Sequence, residues 1–210
     1  VALLLAVGAL AGCGGEKKAD DSKKMVTVGI AQLVEHGALD AANKGFVAGM
    51  ASKGFKENEN VKYDRQNAQA DQSNLQNIAQ RFVSNKVDLI CAIATPTAQT
   101  MANATKDIPI VATAVTDYEV AKLAASNNEP KGNVTGTSDM NPIDQQLELL
   151  LKIAPQTKNI GTLYSSSEVN SQLQVDVLKK LAGDKGINVI EATVSTVNDI
   201  QQAAHSLVGK

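Results

Sequence analysis

Tryptophan is absent, and phenylalanine and tyrosine occur three times each, so aromatics make up 3% of the chain. A pocket built on stacked rings, as sugar sites usually are, has few candidates here. Cysteine occurs twice, as Cys13 and Cys91, and histidine twice, as His36 and His205. Two cysteines supply neither a disulfide framework nor a thiolate metal site. Two histidines need carboxylate help to hold a metal. Arg65 and Arg81 are the only arginines, and the net charge is -2. A surface that tracks phosphates needs clustered Arg and Lys, and no such cluster occurs outside residues 16–24, which argues against nucleic acid. No Gly-x-Ser-x-Gly elbow and no Gly-rich phosphate loop ending in Lys-Ser/Thr is present, which removes two common enzyme signatures. The reading is therefore of a protein that is not an enzyme, with no catalytic residue, metal or cofactor.

What is present begins with Val1-Ala-Leu-Leu-Leu-Ala-Val-Gly-Ala-Leu-Ala-Gly-Cys13. Val1–Gly12 is too short to span a bilayer, which takes about 20 apolar residues. It has the apolar core and small-residue end of a secretory signal, without the initiating Met and positive start. The ending Leu-Ala-Gly-Cys resembles a bacterial lipobox, which implies cleavage before Cys13 and a diacylglycerol on its sulfur. Gly14–Lys24 is charged and Gly-containing, a solvated tether in composition. Cys91, inside the apolar run Val87–Ala94, reads as a small buried hydrophobe.

From Met25 onward the pattern alternates. Val26–Gln32 has apolar residues at every second position, as a half-buried strand does. Leu39, Ala42, Phe46 and Met50 then recur at helical spacing, with Gly54 as the stop. Val61–Arg65 reads as a strand. Asp71 is placed to cap a helix whose apolar face is Leu75, Ile78, Ala79, Phe82 and Val83. Asp88–Ala94 is a continuously apolar strand, as expected when helices cover both faces of a parallel sheet. A helix is expected from Pro96, then a strand over Pro109–Val115. The turn-rich stretch Asn127–Asn133 leads to Val134–Ser138, read as an extended connector. The rhythm then restarts with a helix carrying Leu147, Leu150, Leu151 and Ala154. A strand over Asn159–Tyr164 follows, then a helix with Leu173, Val177 and Leu181, a strand over Ile187–Ile190 and a helix over Ile200–Leu207.

Strands alternating with helices define an α/β fold with parallel sheets flanked by helices, arranged as two lobes. The boundaries expected are a signal peptide at 1–12, a lipidated tether at 13–24, a first lobe at 25–126, a connector or hinge at 127–141, and a second lobe at 142–210. Two strands would leave the second lobe's helices poorly covered, so this lobe is expected to be incomplete.

In open parallel sheets ligands sit beyond the carboxyl ends of the strands. The segments there contain Gln32, Glu35 and His36; Thr95, Pro96 and Thr97; Thr116 and Asp117; Ser138 and Asp139; and Ser165, Ser166, Ser167 and Glu168. They offer short hydroxyls and carboxylates without Lys or Arg. Hydroxyls and free N–H groups at helix starts can hold a carboxylate, and Thr95–Thr97 and Ser165–Ser167 suit this role best. Glu35, Asp117, Asp139 or Glu168 could pair with an ammonium. Together they suit a zwitterion, an amino acid. Each of these residue types is also a common cap or turn former. The candidate rings for an aromatic ligand are Tyr118, Tyr164 and His36.

The segments Val28–Phe46, Ala92–Gln99, Val115–Asp117, Asn133–Asp139 and Gly161–Ser171 resemble the substrate-binding lipoproteins of ABC importers assigned to tryptophan or tyrosine uptake. The resemblance implies a periplasmic-binding-protein-like fold of type I. It implies a membrane-anchored extracytoplasmic receptor, an amino acid as ligand and an ABC permease as partner. It also implies a second lobe longer than the one present and a chain that crosses back to the first. Gly37 departs from the family, where proline is expected. The alternatives are a sugar or nucleoside receptor of similar fold, against which the scarcity of rings and Arg argues, and a lipoprotein enzyme. A DNA-binding regulator of this fold would carry a helix-turn-helix where the lipobox lies.

Overall fold

The computed structural model describes residues 25–130 and 132–210. The signal-like segment, Cys13 and the tether lie outside them. The elements run β1 (Val26–Gln32), α1 (Gly37–Ser52), β2 (Val61–Asn67), α2 (Gln72–Ser84), β3 (Leu89–Ile93), α3 (Thr95–Ala104), β4 (Ile110–Val115) and β5 (Val134–Ser138). They continue with α4 (Ile143–Ile153), β6 (Asn159–Ser165), α5 (Val169–Gly183), β7 (Asn188–Val194) and α6 (Ile200–Leu207), preceded by a short 3-10 turn at Val197–Asp199.

The first sheet has the order β2-β1-β3-β4-β5, every neighbouring pair parallel. Side chains alternate across it, as the two-residue period of a strand requires. Val28, Ile30, Cys91 and Ile93 meet Leu39, Ala42, Phe46 and Met50 of α1 on one face. Ala31, Ile90, Ala92, Ile110 and Ala112 meet Leu75, Ile78, Ala79 and Phe82 of α2, and Ala98 and Met101 of α3, on the other. β3 is apolar throughout because it lies between these two layers. Gly29 leaves room for Phe82 of α2 against the sheet: a Cβ there would stand 2.7 Å from the Phe82 ring. Asp71 caps α2, its Oδ1 accepting from the Asn74 N–H at 2.8 Å, and Gly54 follows α1 with φ +88°. The Cys91 thiol is fully buried, and burial pushes its pKa up to about 12, so it packs as a hydrophobe.

β6 and β7 form a separate parallel pair. Ile160 and Ile187 pack with Leu147 of α4 and Ala182 of α5. On the opposite face Gly161 lies beneath Leu207 of α6.

Two assignments differ from the sequence reading. Val134–Ser138, expected as a connector, is the fifth strand of the first sheet, in register with β4 from Ile110↔Val134. Among the described residues no helix precedes it. Residues 116–130 belong to a loop that buries Tyr118, Ala121 and Leu123. An edge strand that is exposed from Thr135 to Ser138 carries little apolar signal. β7 extends to Val194, four residues past the apolar run Ile187–Ile190.

Candidate functional site

The register puts the ends of the first five strands at one edge. Gln32 is opposite both Asn67 and Ile93, Ile93 is opposite Thr113, and Val115 is opposite Ser138. The segments that follow these strands therefore emerge side by side. Ser165–Glu168 emerge at the corresponding end of β6, where Ser165 is opposite Val194.

The residues gathered there do different jobs. Gln32 is buried and fully used: its Nε2 donates to Val34 O at 2.9 Å and Asp40 Oδ1 at 2.6 Å, and its Oε1 accepts from Asn43 Nδ2 at 3.1 Å. It fastens α1 to β1. Glu35 is exposed, and exposed His36 caps α1, its Nδ1 accepting from the Ala38 N–H at 3.3 Å. Asp117 organises its own loop, accepting from the Val120 N–H and from Asn127 Nδ2, both at 2.8 Å. Thr116 is buried, and its carbonyl accepts from Ser138 Oγ at 2.7 Å. Asp139 is exposed, its N–H bound to Val115 O. Ser165 and Ser167 pair their hydroxyls at 2.9 Å, and the Ser166 N–H donates to Val194 O at 3.1 Å. Glu168 is the N-cap residue of α5, and its Oε2 accepts from Asn170 Nδ2 and Ser171 Oγ, both at 3.4 Å.

Thr95 and Thr97 stand apart. They are 2% and 0% exposed, and neither hydroxyl has a hydrogen-bond partner among the described residues. Buried polar atoms are nearly always paired, so two orphans two residues apart demand an explanation. Both lie in the first turn of α3, where helix geometry leaves N–H groups without intrahelical acceptors. Pro96 between them has no N–H to satisfy. The N-cap residue, Ala94, makes no side-chain cap and has φ +89° and ψ +153°, a region that glycine alone enters readily. The turn thus carries two N–H groups and two buried O–H groups at the positive end of a helix dipole, the chemistry of a carboxylate seat.

The hydroxyls of two of the three candidate rings are committed elsewhere. Tyr118 is buried, with its hydroxyl on Ala112 O at 2.9 Å. The Tyr164 hydroxyl lies 2.8 Å from Glu191 Oε2, the bond that does most to raise its pKa, and 2.7 Å from Gln172 Oε1. The His36 ring remains exposed at this edge.

The sequence reading left out the loop after β2. Ala68 and Ala70 donate their N–H groups to Gln32 O at 2.9 Å and Leu33 O at 2.8 Å, and Gln69 and Ala70 both take positive φ. This loop braces the segment leading to Glu35 and His36. The signal that finds it is topological, since β2 ends at the same edge as its neighbours.

Two α/β units of parallel strands and flanking helices make a periplasmic-binding-protein-like fold. The chain belongs to a family within that class: residues 27–210 match the family described as ABC transporter substrate binding protein. That family is one of solute binders, not enzymes.

Three relatives show where the similarity lies. A protein named tyrosine-binding protein from Clostridioides difficile (strain R20291) is 49% identical, over all of this chain and 63% of its own length. A crystal structure from Streptococcus pneumoniae, described as an ABC domain in complex with L-Trp, is 41% identical with a TM-score of 0.86, over 89% of this chain and 63% of that one. The ligand-free, open structure of a substrate binding protein with adhesive properties from Clostridium difficile is 50% identical with a TM-score of 0.65, over 88% and 63%. The chain therefore spans a little under two thirds of these relatives' lengths. It resembles the L-Trp complex more in shape, and the open structure more in sequence.

Proposed function

We propose that this chain is the ligand-binding part of a lipid-anchored extracytoplasmic receptor that delivers an amino acid to an ABC permease. The observation that carries the ligand class is the pair of unpartnered hydroxyls, Thr95 and Thr97, at the start of α3. They and the free N–H groups of that turn receive the ligand carboxylate. The ammonium is met by a carboxylate at the strand ends, for which exposed Glu35 and Asp139 are the free candidates in the first lobe and Glu168 the candidate in the second. The relatives named for tyrosine and crystallised with L-Trp support an aromatic side chain. Tyr118 is buried and Tyr164 half-buried with their hydroxyls on internal partners, and exposed His36 is the candidate ring most open to face it.

The two sheets act as two lobes that close on the ligand, a hinge motion driven by contacts made in the closed state alone. The crossing between them lies in the proposed 127–141 connector, at its end beyond β5. Cys13 carries the lipid, after cleavage behind Gly12, and holds the receptor to the cell membrane on the extracytoplasmic side, periplasmic or outer face.

Calorimetric titration of the full-length protein with the twenty amino acids tests the ligand class. Heat of binding with L-tyrosine or L-tryptophan is expected, and no heat with any amino acid refutes it. Labelling cells with palmitate tests the anchor: label is expected on the parent and lost in Cys13→Ser, and an unlabelled parent refutes it.

A further inference from the structure

The chain leaves the first sheet at Ser138, and the strand that takes it there is fastened more firmly than an edge strand needs to be. Ala112 of β4 is opposite Gly136 of β5 and Val115 is opposite Ser138, so Thr113 and Ala114 together face Thr137 alone. This is a β-bulge, with the extra residue, Ala114, at φ +54°. A bulge re-aims the strand that carries it and sharpens its twist. Here it turns the Ala112 carbonyl toward the Tyr118 hydroxyl, which lies 2.9 Å from Ala112 O and 3.2 Å from Thr137 O. Tyrosine has one proton to give, so the shorter contact is the main bond and Thr137 O shares it. The hydroxyl thus bridges the two strands at the bulge.

Gly136 makes room for this bridge. A Cβ there would fall 1.9 Å from Ala112 O and 2.2 Å from the Tyr118 hydroxyl, so no side chain fits. Three further bonds hold the end of the strand: Ser138 Oγ to Thr116 O at 2.7 Å, the Asp139 N–H to Val115 O at 3.1 Å, and Thr137 Oγ1 to Thr113 Oγ1 at 3.2 Å. The same bulge anchors the start of α3, since the Ala94 N–H donates to Thr113 O at 3.0 Å. One irregularity of β4 therefore fixes both the carboxylate seat and the direction of departure toward α4.

We propose that Tyr118 and Gly136 form a clamp on β5 that sets the angle between the lobes, making Tyr118 a positioning residue for closure that acts on ligand affinity without touching ligand. The proposal rests on the solute-binding reading above. With β5 locked through Ser138, the turning in this crossing between the lobes falls to the few residues from Asp139 to Pro142, which precede α4. Without the clamp, bending spreads back into Thr135–Ser138 and the range of lobe angles widens. A ligand that needs one angle then finds the competent state less often, and its apparent Kd rises by that fraction.

The test uses the full-length protein with Cys13→Ser, spin-labelled at Ala48→Cys on α1 and Lys180→Cys on α5, both exposed; buried Cys91 stays unlabelled. Pulsed electron resonance measures the distance distribution between the labels, and calorimetry measures affinity for L-tyrosine and L-tryptophan. Tyr118→Phe is expected to broaden the ligand-free distribution and weaken binding about tenfold. Tyr63→Phe, which removes another buried tyrosine hydroxyl, one without a partner on the opposite edge strand, is expected to change neither. Should Tyr118→Phe fail to fold, Ser138→Ala removes the bond from Ser138 Oγ to Thr116 O and the one that Oγ accepts from the Met140 N–H at 3.1 Å, leaves the Tyr118 bridge in place, and is expected to broaden the distribution by a smaller amount. A distribution as narrow as the parent's in Tyr118→Phe, or in Ser138→Ala where that variant replaces it, overturns the clamp, as does equal broadening in Tyr63→Phe. If the parent binds no amino acid, the ligand reading fails, while the widths of the distributions still decide the clamp.

Discussion

Replacing Thr95 or Thr97 by valine exchanges a buried hydroxyl for a methyl group of nearly the same size. The hydroxyls have no partner among the described residues, so the exchange removes an unsatisfied polar group instead of a hydrogen bond. Such a group costs about 1–3 kcal/mol. Each variant is therefore expected to be more stable than the parent without ligand, and for a chain of this size each kcal/mol raises the melting temperature by roughly 2–4 °C. Binding moves the other way. A hydrogen bond to a charged carboxylate is worth about 1.5–3 kcal/mol, which corresponds to about a 10- to 150-fold loss of affinity. Scanning calorimetry of the ligand-free protein and titration with L-tyrosine and L-tryptophan measure the two quantities. The opposite signs are diagnostic, because a threonine that merely supports the fold would lower both stability and affinity when replaced. Unchanged affinity in both variants, or a lower melting temperature in both, refutes the assignment of this turn as the carboxylate seat.

Other predictions concern the frame around the site. Ala94→Gly relieves a backbone conformation that costs about 1–3 kcal/mol, offset in part by about 0.4–1 kcal/mol of added chain entropy in the unfolded state; a higher thermal midpoint is expected, and a lower one argues against strain at that residue. Gly29→Ala drives a methyl group into the Phe82 ring and is expected to cost about 1–3 kcal/mol in urea unfolding. Phe82→Leu added to Gly29→Ala should recover part of that loss, and strictly additive losses would count against the contact. Burial pushes the Cys91 thiol and the Tyr118 hydroxyl up to about 12, whereas unfolded they ionise near roughly 8.5 and 10. The folded state then keeps protons that the unfolded state releases, so stability is full below about pH 8.5 and falls as the pH rises toward 12. Urea midpoints taken from pH 7 to 11 should decline, and the decline should shrink in Cys91→Ala and Tyr118→Phe; a level profile in the parent would show that neither group is held neutral by the fold.

The elements with a strong period were legible in the sequence. The apolar stripe of α2 and its Asp71 cap, and the two-sided apolarity of β3, follow from which faces must leave water, and residue spacing records that directly. β5 was not recognised as a strand because Thr135, Gly136, Thr137 and Ser138 are exposed, so no burial pattern marks them. Its membership in the sheet comes from backbone pairing with β4, a long-range contact that leaves little trace in local sequence.

The site divides along the same line. The sequence by itself determined that short hydroxyls and carboxylates follow the strands, because a parallel sheet delivers all its strand ends to one edge whatever their order. Tertiary structure decided which of those residues are free. Gln32 is occupied by α1 and Asp117 by its own loop, and Tyr118 is turned onto a bulged carbonyl, while Thr95 and Thr97 are left without partners among the described residues. Residue type states what a side chain can bond to; only the packing around it determines whether that capacity has already been used.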